Sequence, residues 1–226
     1  MKTLIDHINE ALKIGKNLSN FSTYSCQPTT KDELKEIIKE RISKEGHECD
    51  LNDIDVSQID DMSYLFFESK FRGNISKWNV SNVEDMCAMF MDSKFNGDIS
   101  KWEVSRVKYM EDMFNNSLFN GDIYKWNVSN VNNMAGMFDN SKFNDDISNW
   151  NVSSVEDMSC MFRNSDFNGD ISNWDVSNVE YMYQTFKESQ FNGDISKWNV
   201  SKVKNMSGMF NECPIKDEFK PVFDKN

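Results

Sequence analysis

A repeat of 24 residues occupies most of this chain and restricts its possible folds more than any other feature. Residues 95–114 read FNGDISKWEVSRVKYMEDMF, and residues 191–210 read FNGDISKWNVSKVKNMSGMF. A half copy spans residues 50–66, and six fuller copies follow it, beginning at Phe71, Phe95, Phe119, Phe143, Phe167 and Phe191. A period of roughly 20 to 50 residues is typical of stacked supersecondary units, so we expect each copy to pack mainly on its two neighbours.

Each copy contains two hydrophobic patterns. Around Ile99, apolar and polar residues alternate, which predicts a short strand. From Val107 to Phe114 the apolar residues recur at helical spacing. At 81–84, 153–156 and 177–180, Ser-x-x-Glu matches a helix capping box. The chain is therefore predicted to have an α/β fold, a right-handed leucine-rich-repeat-like solenoid. Each repeat would supply one short strand to a parallel sheet and one short helix to the opposite face.

A helical cap is predicted before the first repeat. Thr30-x-x-Glu33 is a capping box, and Gly46 is placed to end the helix that it starts. A solenoid needs its first hydrophobic layer covered, and this helix lies immediately before that layer. We divide the chain into an N-terminal amphipathic helix and linker (1–29), the capping helix (30–49), the repeat solenoid (50–215) and a C-terminal cap (216–226).

The tryptophans form a single row, because every one occupies the same position of a repeat. An exposed row of indoles could stack on sugar rings. The fixed spacing of Trp102 from the apolar residues Ile99 and Val104 instead favours a buried ladder, which would contribute about 1.5–3 kcal/mol per large side chain. The members are Trp78, Trp102, Trp126, Trp150, Trp174 and Trp198.

The repeat FNGDISxWNVSxVxxMxxMF over residues 50–215 is similar to the BspA-like leucine-rich repeat family of bacterial surface proteins. This resemblance implies a leucine-rich-repeat-like fold and a role in adhesion or protein binding, without enzymatic chemistry. Members are often exported or lipid-anchored. The opening MKTLIDHINEALKIGKN is amphipathic and does not have the charged and apolar segments of a secretory signal.

Charge and composition exclude several classes of partner. The formal net charge is −12, whereas binding to nucleic-acid phosphates or to an anionic membrane surface needs clustered Lys and Arg. No apolar run approaches the roughly 18 residues of a membrane-spanning helix. The five cysteines are widely spaced and form neither a metal motif nor a disulfide framework. We expect no nucleic acid, membrane, metal or cofactor, and a reducing compartment.

No catalytic constellation is present in the sequence. The two histidines, His7 and His47, lie outside the repeats, and no Ser/His/Asp, Cys/His or phosphate-binding glycine arrangement appears. A uniform row of carboxylates also lacks the contrasting environments that separate a general acid from a general base. The protein is therefore predicted not to be an enzyme.

Two rows of polar residues are the candidate binding surface. Asp98 and Asn96 should point outward beside Ile99, and like charges stacked about 4.8 Å apart would repel unless something offsets them. A bridging cation such as Ca²⁺, nearby lysines, or backbone N–H groups of the same turn could do so. The helix flanks, such as residues 108–109, vary more and would suit specific recognition. The rows are Asp98, Asp122, Asp146, Asp170 and Asp194, and Asn96, Asn120, Asn144, Asn168 and Asn192.

The first residues also resemble the targeting peptides of proteins packed into the heads of T-even-type phages. The sequence Ile8-Asn9-Glu10 would place cleavage between Glu10 and Ala11, although an ordinary amphipathic helix accounts for the same residues. We therefore expect a non-enzymatic module that binds protein or glycan or serves as a structural element. The alternatives are a phage virion or head-packaged protein and a surface adhesin. The expected location is the cytoplasm, or a virion; the oligomeric state is left open.

Overall fold

A computed structural model describes residues 24–223 of the chain, and these form one α-helix followed by a stack of repeats. Helix α1 spans Lys31–Glu45. Thr30 caps it by accepting a hydrogen bond from the Glu33 N–H at 3.3 Å, and Gly46 ends it with a positive φ of 87°. The only other helical element in the described part is a short 3-10 helix, Asp217–Phe219.

The prediction of one strand and one helix in every repeat was wrong. Between α1 and the 3-10 helix, the described residues contain no further helix and no strand longer than an isolated bridge. Each repeat is instead one coil built of consecutive tight turns. In the coil of residues 95–118, backbone N–H groups close four-residue turns: Trp102 donates to Ile99 O (3.1 Å) and Val107 donates to Val104 O (3.0 Å). The α/β solenoid is therefore replaced by a stack of turn-built coils.

The helix in each repeat was mispredicted because a series of tight turns places apolar residues at the same spacing as a helix does. The two structures differ in where the backbone N–H groups find their acceptors. A helix of about eight residues is marginal unless its N–H groups are satisfied internally. Here the N–H of Met110 donates to Asn133 O (3.0 Å) and that of Phe114 to Met137 O (2.9 Å), both in the next coil. Asp112 and Asn116 adopt φ of 53° and 50°, which interrupts helical geometry.

The predicted capping boxes inside the repeats are absent for a related reason. The Ser81 N–H is bound by the side chain of Asn79 at 3.2 Å, in a local turn. Glu84 does not reach back to a helix start, because its carboxylate forms ion pairs with Arg106 (2.9 Å) and Lys108 (2.7 Å) of the next coil. The same local turn is made at Ser153 and Ser177.

Aromatic ladders fill the core, as the fixed spacing of the apolar residues predicted. Phe90 and Phe114 stack with centroids 5.6 Å apart and planes 1° apart, and Trp78 and Trp102 stack at 6.4 Å and 5°. Every Trp is at most 5% exposed, so the row is a core ladder and not a sugar platform. Each indole N–H also donates to the preceding coil, as Trp102 does to Ile75 O at 3.2 Å.

Among the glycines, Gly73 lies nearest to the backbone of the neighbouring coil. A Cβ at Gly73 would be 1.9 Å from the Cys49 carbonyl oxygen, whereas at Gly169 the nearest backbone atom would be 3.8 Å away. We expect Gly73→Ala to lower the free energy of unfolding by about 1–3 kcal/mol through overpacking, and Gly169→Ala to lower it less. Urea denaturation of both variants measures the difference. Equal losses would contradict a special close approach at Gly73.

Candidate functional site

The aspartate row is engaged in its own turns. Asp98 Oδ1 accepts hydrogen bonds from the Ser100 N–H (2.9 Å) and hydroxyl (2.7 Å), and these bonds lower the Asp98 pKa. The backbone N–H two residues further on also donates to each other member, Asp122, Asp146, Asp170 and Asp194, at 2.8–3.0 Å. The local backbone N–H groups therefore offset part of the charge of the row, and Lys101 and Lys197 also lower the pKa values of Asp98 and Asp194. Within residues 24–223, no group of three or more acidic, His or Cys side chains could hold a metal ion.

The asparagine row joins neighbouring coils. The Asn96 side-chain oxygen accepts the backbone N–H of Asn120 at 2.8 Å, and the same bond recurs from each member to the next: Asn144 to Asn120, Asn168 to Asn144 and Asn192 to Asn168. These amides thus stabilise the stack with their oxygens. Their use as a binding surface, like that of the aspartates, stays a prediction.

A polar groove that the sequence analysis did not single out crosses five coils on another face. Its volume is about 500 Å³. It is built from the twenty-first and twenty-second residues of successive repeats, and we call it the amide groove. Its lining residues are Met91, Asp92, Asn115, Asn116, Asp139, Asn140, Arg163, Asn164, Lys187 and Glu188.

Three stacked asparagines form the floor of the amide groove. The Asn164 side-chain N–H donates to Asn140 (2.8 Å), that of Asn140 donates to Asn116 (2.7 Å), and that of Asn116 donates to the Asp92 carboxylate. All three have φ of 50–52°, a left-handed conformation that Asn tolerates better than most residues. A side-chain amide has two donors and two lone pairs. Each of these amides therefore retains hydrogen-bonding capacity for a ligand.

An ion pair between a buried carboxylate and a partly exposed guanidinium lines part of the groove. Asp139 is 4% exposed and is held by Arg163, whose Nε donates to Oδ1 at 3.0 Å and whose Nη2 donates to Oδ2. Burial raises the Asp139 pKa, and the guanidinium acts in the opposite direction. Lys187 pairs with Glu188 at 3.1 Å. Much of the charge in this part of the groove is thus neutralised internally.

An exposed aromatic pair continues the groove toward the N-terminal end of the stack. Tyr64 and Phe67 are 49% and 39% exposed, and their rings meet edge to face at 5.9 Å. Phe67 occupies the repeat position of Met91, and the neighbouring Glu68 N–H donates to Met91 O at 2.9 Å. The surface therefore changes along the stack from aromatic and acidic to amide and then to paired charges.

The variable flank positions that were predicted for recognition form cross-coil ion pairs. Lys204 binds Glu180 at 2.5 Å, as Lys108 binds Glu84, and Tyr109 lies exposed next to Lys108. The groove residues vary as strongly from copy to copy. This variation at one repeat position was the signal that could have identified the groove from the sequence. The residues at that position are Phe67, Met91, Asn115, Asp139, Arg163 and Lys187.

A family model described as "Mycoplasma protein of unknown function, DUF285" matches residues 33–143 and 139–220. The chain belongs to this family of repeat proteins. The comparisons with curated proteins and with solved structures gave no match. The narrower resemblance to BspA-like repeats, and the roles it implied, therefore have no support beyond the repeat itself.

Two sequence-based expectations concern location. Glu10 and Ala11, the suggested cleavage site, lie outside the described residues. Among residues 24–223, no helix has the length and apolar content needed to cross a membrane. The cytoplasmic location and its virion alternative stay predictions.

Proposed function

We propose that this protein is a non-enzymatic binding module that holds an extended segment of a partner protein along the amide groove. The observation that carries this proposal is the row of Asn116, Asn140 and Asn164, whose amides retain donors and acceptors after bonding to each other. A peptide main chain presents the same two kinds of group. A row of amides can therefore bind a peptide main chain through hydrogen bonds that do not depend on the side chains of the peptide.

The acidic and aromatic end of the groove supports a particular partner chemistry. Tyr64 and Phe67 expose ring surface, and the carboxylates of Glu68 and Asp92 lie in the first and second coils of the stack. Aromatic rings attract apolar and cationic groups. With a net charge of −12, the chain as a whole would also attract a basic partner. The proposed ligand is a basic segment with an apolar or aromatic residue.

The proposal includes no catalytic step for two reasons. The sequence has no catalytic constellation, and the half-buried thiol of Cys87 is protonated near neutral pH. Burial and the neighbouring Glu111 carboxylate raise the pKa of Cys87 to about 12. A thiol with that pKa is protonated near neutral pH and is a poor nucleophile. The chemistry available at the amide groove is hydrogen bonding and ion pairing.

Selection from a random 12-residue peptide library against the protein tests the proposal. We expect the selected peptides to be enriched in Lys or Arg together with an aromatic residue. Asn140→Gly should weaken their binding at least about tenfold, because glycine keeps the left-handed backbone and removes only the amide. Asn149→Gly, at an exposed position outside the groove, is the matched control and should leave the affinity unchanged.

Two results would overturn this function. Peptides that bind wild type and Asn140→Gly equally well would place the ligand elsewhere. Binding on a glycan array that Asn140→Gly abolishes, with no peptide selected, would replace the protein ligand by a carbohydrate. Isothermal titration calorimetry of the best peptide provides the affinities for both variants.

A further inference from the structure

The two ends of the stack are closed to different degrees. At the first coil, residues 47–70, helix α1 buries Leu34 and Ile38 in the core. Lys31 binds Asp61 at 2.6 Å on one side of that coil, and Arg41 binds Asp53 at 3.0 Å on the other. The helix therefore covers this end from side to side.

The last coil, residues 191–214, leaves part of its apolar surface exposed. Met206 is 42% exposed, and Val203 and Phe210 are half-buried. Every preceding methionine at the Met206 position is covered by the next coil and is at most 1% exposed: Met62, Met86, Met110, Met134, Met158 and Met182. The exposure of Met206 follows from its place at the end of the stack.

Main-chain donors are also left over at this end. In the preceding coil, Met182, Gln184 and Phe186 donate their N–H groups to carbonyl oxygens of the last coil at 2.8–3.1 Å. The N–H groups at the equivalent positions, residues 206, 208, 210 and 212, have no acceptor among residues 24–223. These N–H groups form an edge. They have the same spacing as the N–H groups that join neighbouring coils within the stack.

The tail of the chain shows how this end accepts an added segment. Ile215 is buried against the last coil, and the Ile195 N–H donates to Phe219 O at 3.0 Å. The Lys220 ammonium lies 5.5 Å from the Phe210 ring centroid. The tail therefore covers the half that carries Ile195 and reaches Phe210 in the other half, where Met206 stays exposed.

We propose that this open half, residues 203–212, binds an extended acidic segment of a partner protein through main-chain hydrogen bonds, as one coil binds the next. The proposal uses the end face of the stack, whereas the amide groove runs along its side and ends at Lys187 and Glu188, one coil before residues 211 and 212. Edge donors commonly recruit extended peptides in this way. A second copy would not continue the stack, because α1 covers the first coil, where a matching set of carbonyls would be needed.

The local charge favours an acidic occupant. Residues 197–220 contain five lysines and three carboxylates, whereas the chain as a whole has a net charge of −12. The lysines are Lys197, Lys202, Lys204, Lys216 and Lys220. The last three pair with Glu180, Glu218 and Asp217, whereas Lys197 and Lys202 form no ion pair among residues 24–223. A segment with apolar residues to cover Met206 and carboxylates to meet Lys197 and Lys202 complements the open half.

A synthetic peptide with the sequence of residues 59–70, IDDMSYLFFESK, is a suitable probe. It has three carboxylates and one lysine, and in the chain it forms the part of the first coil that corresponds to residues 203–214. We expect saturable binding of the fluorescein-labelled peptide to the full chain by fluorescence anisotropy, and none with a scrambled peptide. Met206→Asp should weaken binding at least about tenfold. Leu118→Asp, at a side chain of similar exposure in the middle of the stack, should not.

Hydrogen–deuterium exchange adds a readout that does not need a variant. The peptide should slow exchange of the amides at residues 206–212 in the wild-type protein, and it should leave the amide groove unprotected. Absence of binding at millimolar peptide would overturn the proposal. So would binding that Asn140→Gly removes or that protects other residues, since the peptide would then occupy the groove or another surface.

Discussion

We expect Phe138→Ala to lower the free energy of unfolding by about 3–5 kcal/mol, the range for large-to-small substitutions of buried aromatic residues. The Phe138 ring is fully buried and stacks at 5.8 Å on both Phe114 and Phe162. Phe143, the first residue of the next coil, has its ring centroid 4.2 Å away. Truncation leaves a cavity in the middle of the ladder, and each neighbouring coil loses part of the interface on which it depends.

Chemical denaturation followed by tryptophan fluorescence measures this loss, since every indole lies in the core. The matched control is Leu118→Ala, whose side chain is 48% exposed and should change stability by no more than about 0.5 kcal/mol. A loss below about 1 kcal/mol for Phe138→Ala would mean that the ring ladder does not hold neighbouring coils together.

The second large effect is expected from Arg163→Leu. The substitution leaves the Asp139 carboxylate buried without its guanidinium partner, and an unsatisfied buried charge costs about 2 kcal/mol or more. Burial already raises the Asp139 pKa above its usual value, and removal of Arg163 should raise that pKa further. The folded variant will then hold a proton at pH values where the unfolded chain has lost it.

The sign of the pH dependence follows from this difference in protonation. Because the folded state binds the proton more tightly, the variant loses stability relative to wild type as pH rises through the raised Asp139 pKa. The deficit should be largest near pH 7 and should shrink as pH falls toward about 4, the pKa of an unfolded Asp. Urea denaturation of both proteins at several pH values provides the comparison.

An exposed ion pair supplies the control for Arg163→Leu. Arg106 binds Glu84 at 2.9 Å with both side chains substantially exposed, so Arg106→Leu should cost no more than about 1 kcal/mol. The stability loss of Arg106→Leu relative to wild type should also not shrink at low pH as that of Arg163→Leu does. If the two variants behave alike, Asp139 is not the buried charge that the structure indicates.

Local residue chemistry was enough to predict the helix cap and the composition of the core. Thr30 and Glu33 start α1 because their side chains satisfy N–H groups within one turn of the chain, and Gly46 ends it because glycine accepts a positive φ. Trp102 was correctly predicted to be buried, since its spacing from apolar neighbours holds whatever the backbone does between them. Fixed apolar spacing thus predicts which side chains are inside.

The path of the backbone between those side chains could not be predicted in the same way. A spacing of three residues fits a helix and a series of turns equally well, and the choice depends on where the N–H groups find acceptors. The Met110 N–H finds its acceptor on Asn133, in the next coil, a partner that no single repeat contains. The strand and helix were therefore wrong although the apolar positions were right.

The amide groove depends on the same distant contacts. Asn116, Asn140 and Asn164 lie 24 residues apart and form one row only because the coils stack in register. The sequence alone determined the 24-residue period, the buried ladders and the capping helix, because each depends on local chemistry or on a repeated spacing. The tertiary structure alone decided the turn-built coils, the groove and the open last coil, because hydrogen bonds between coils create all three.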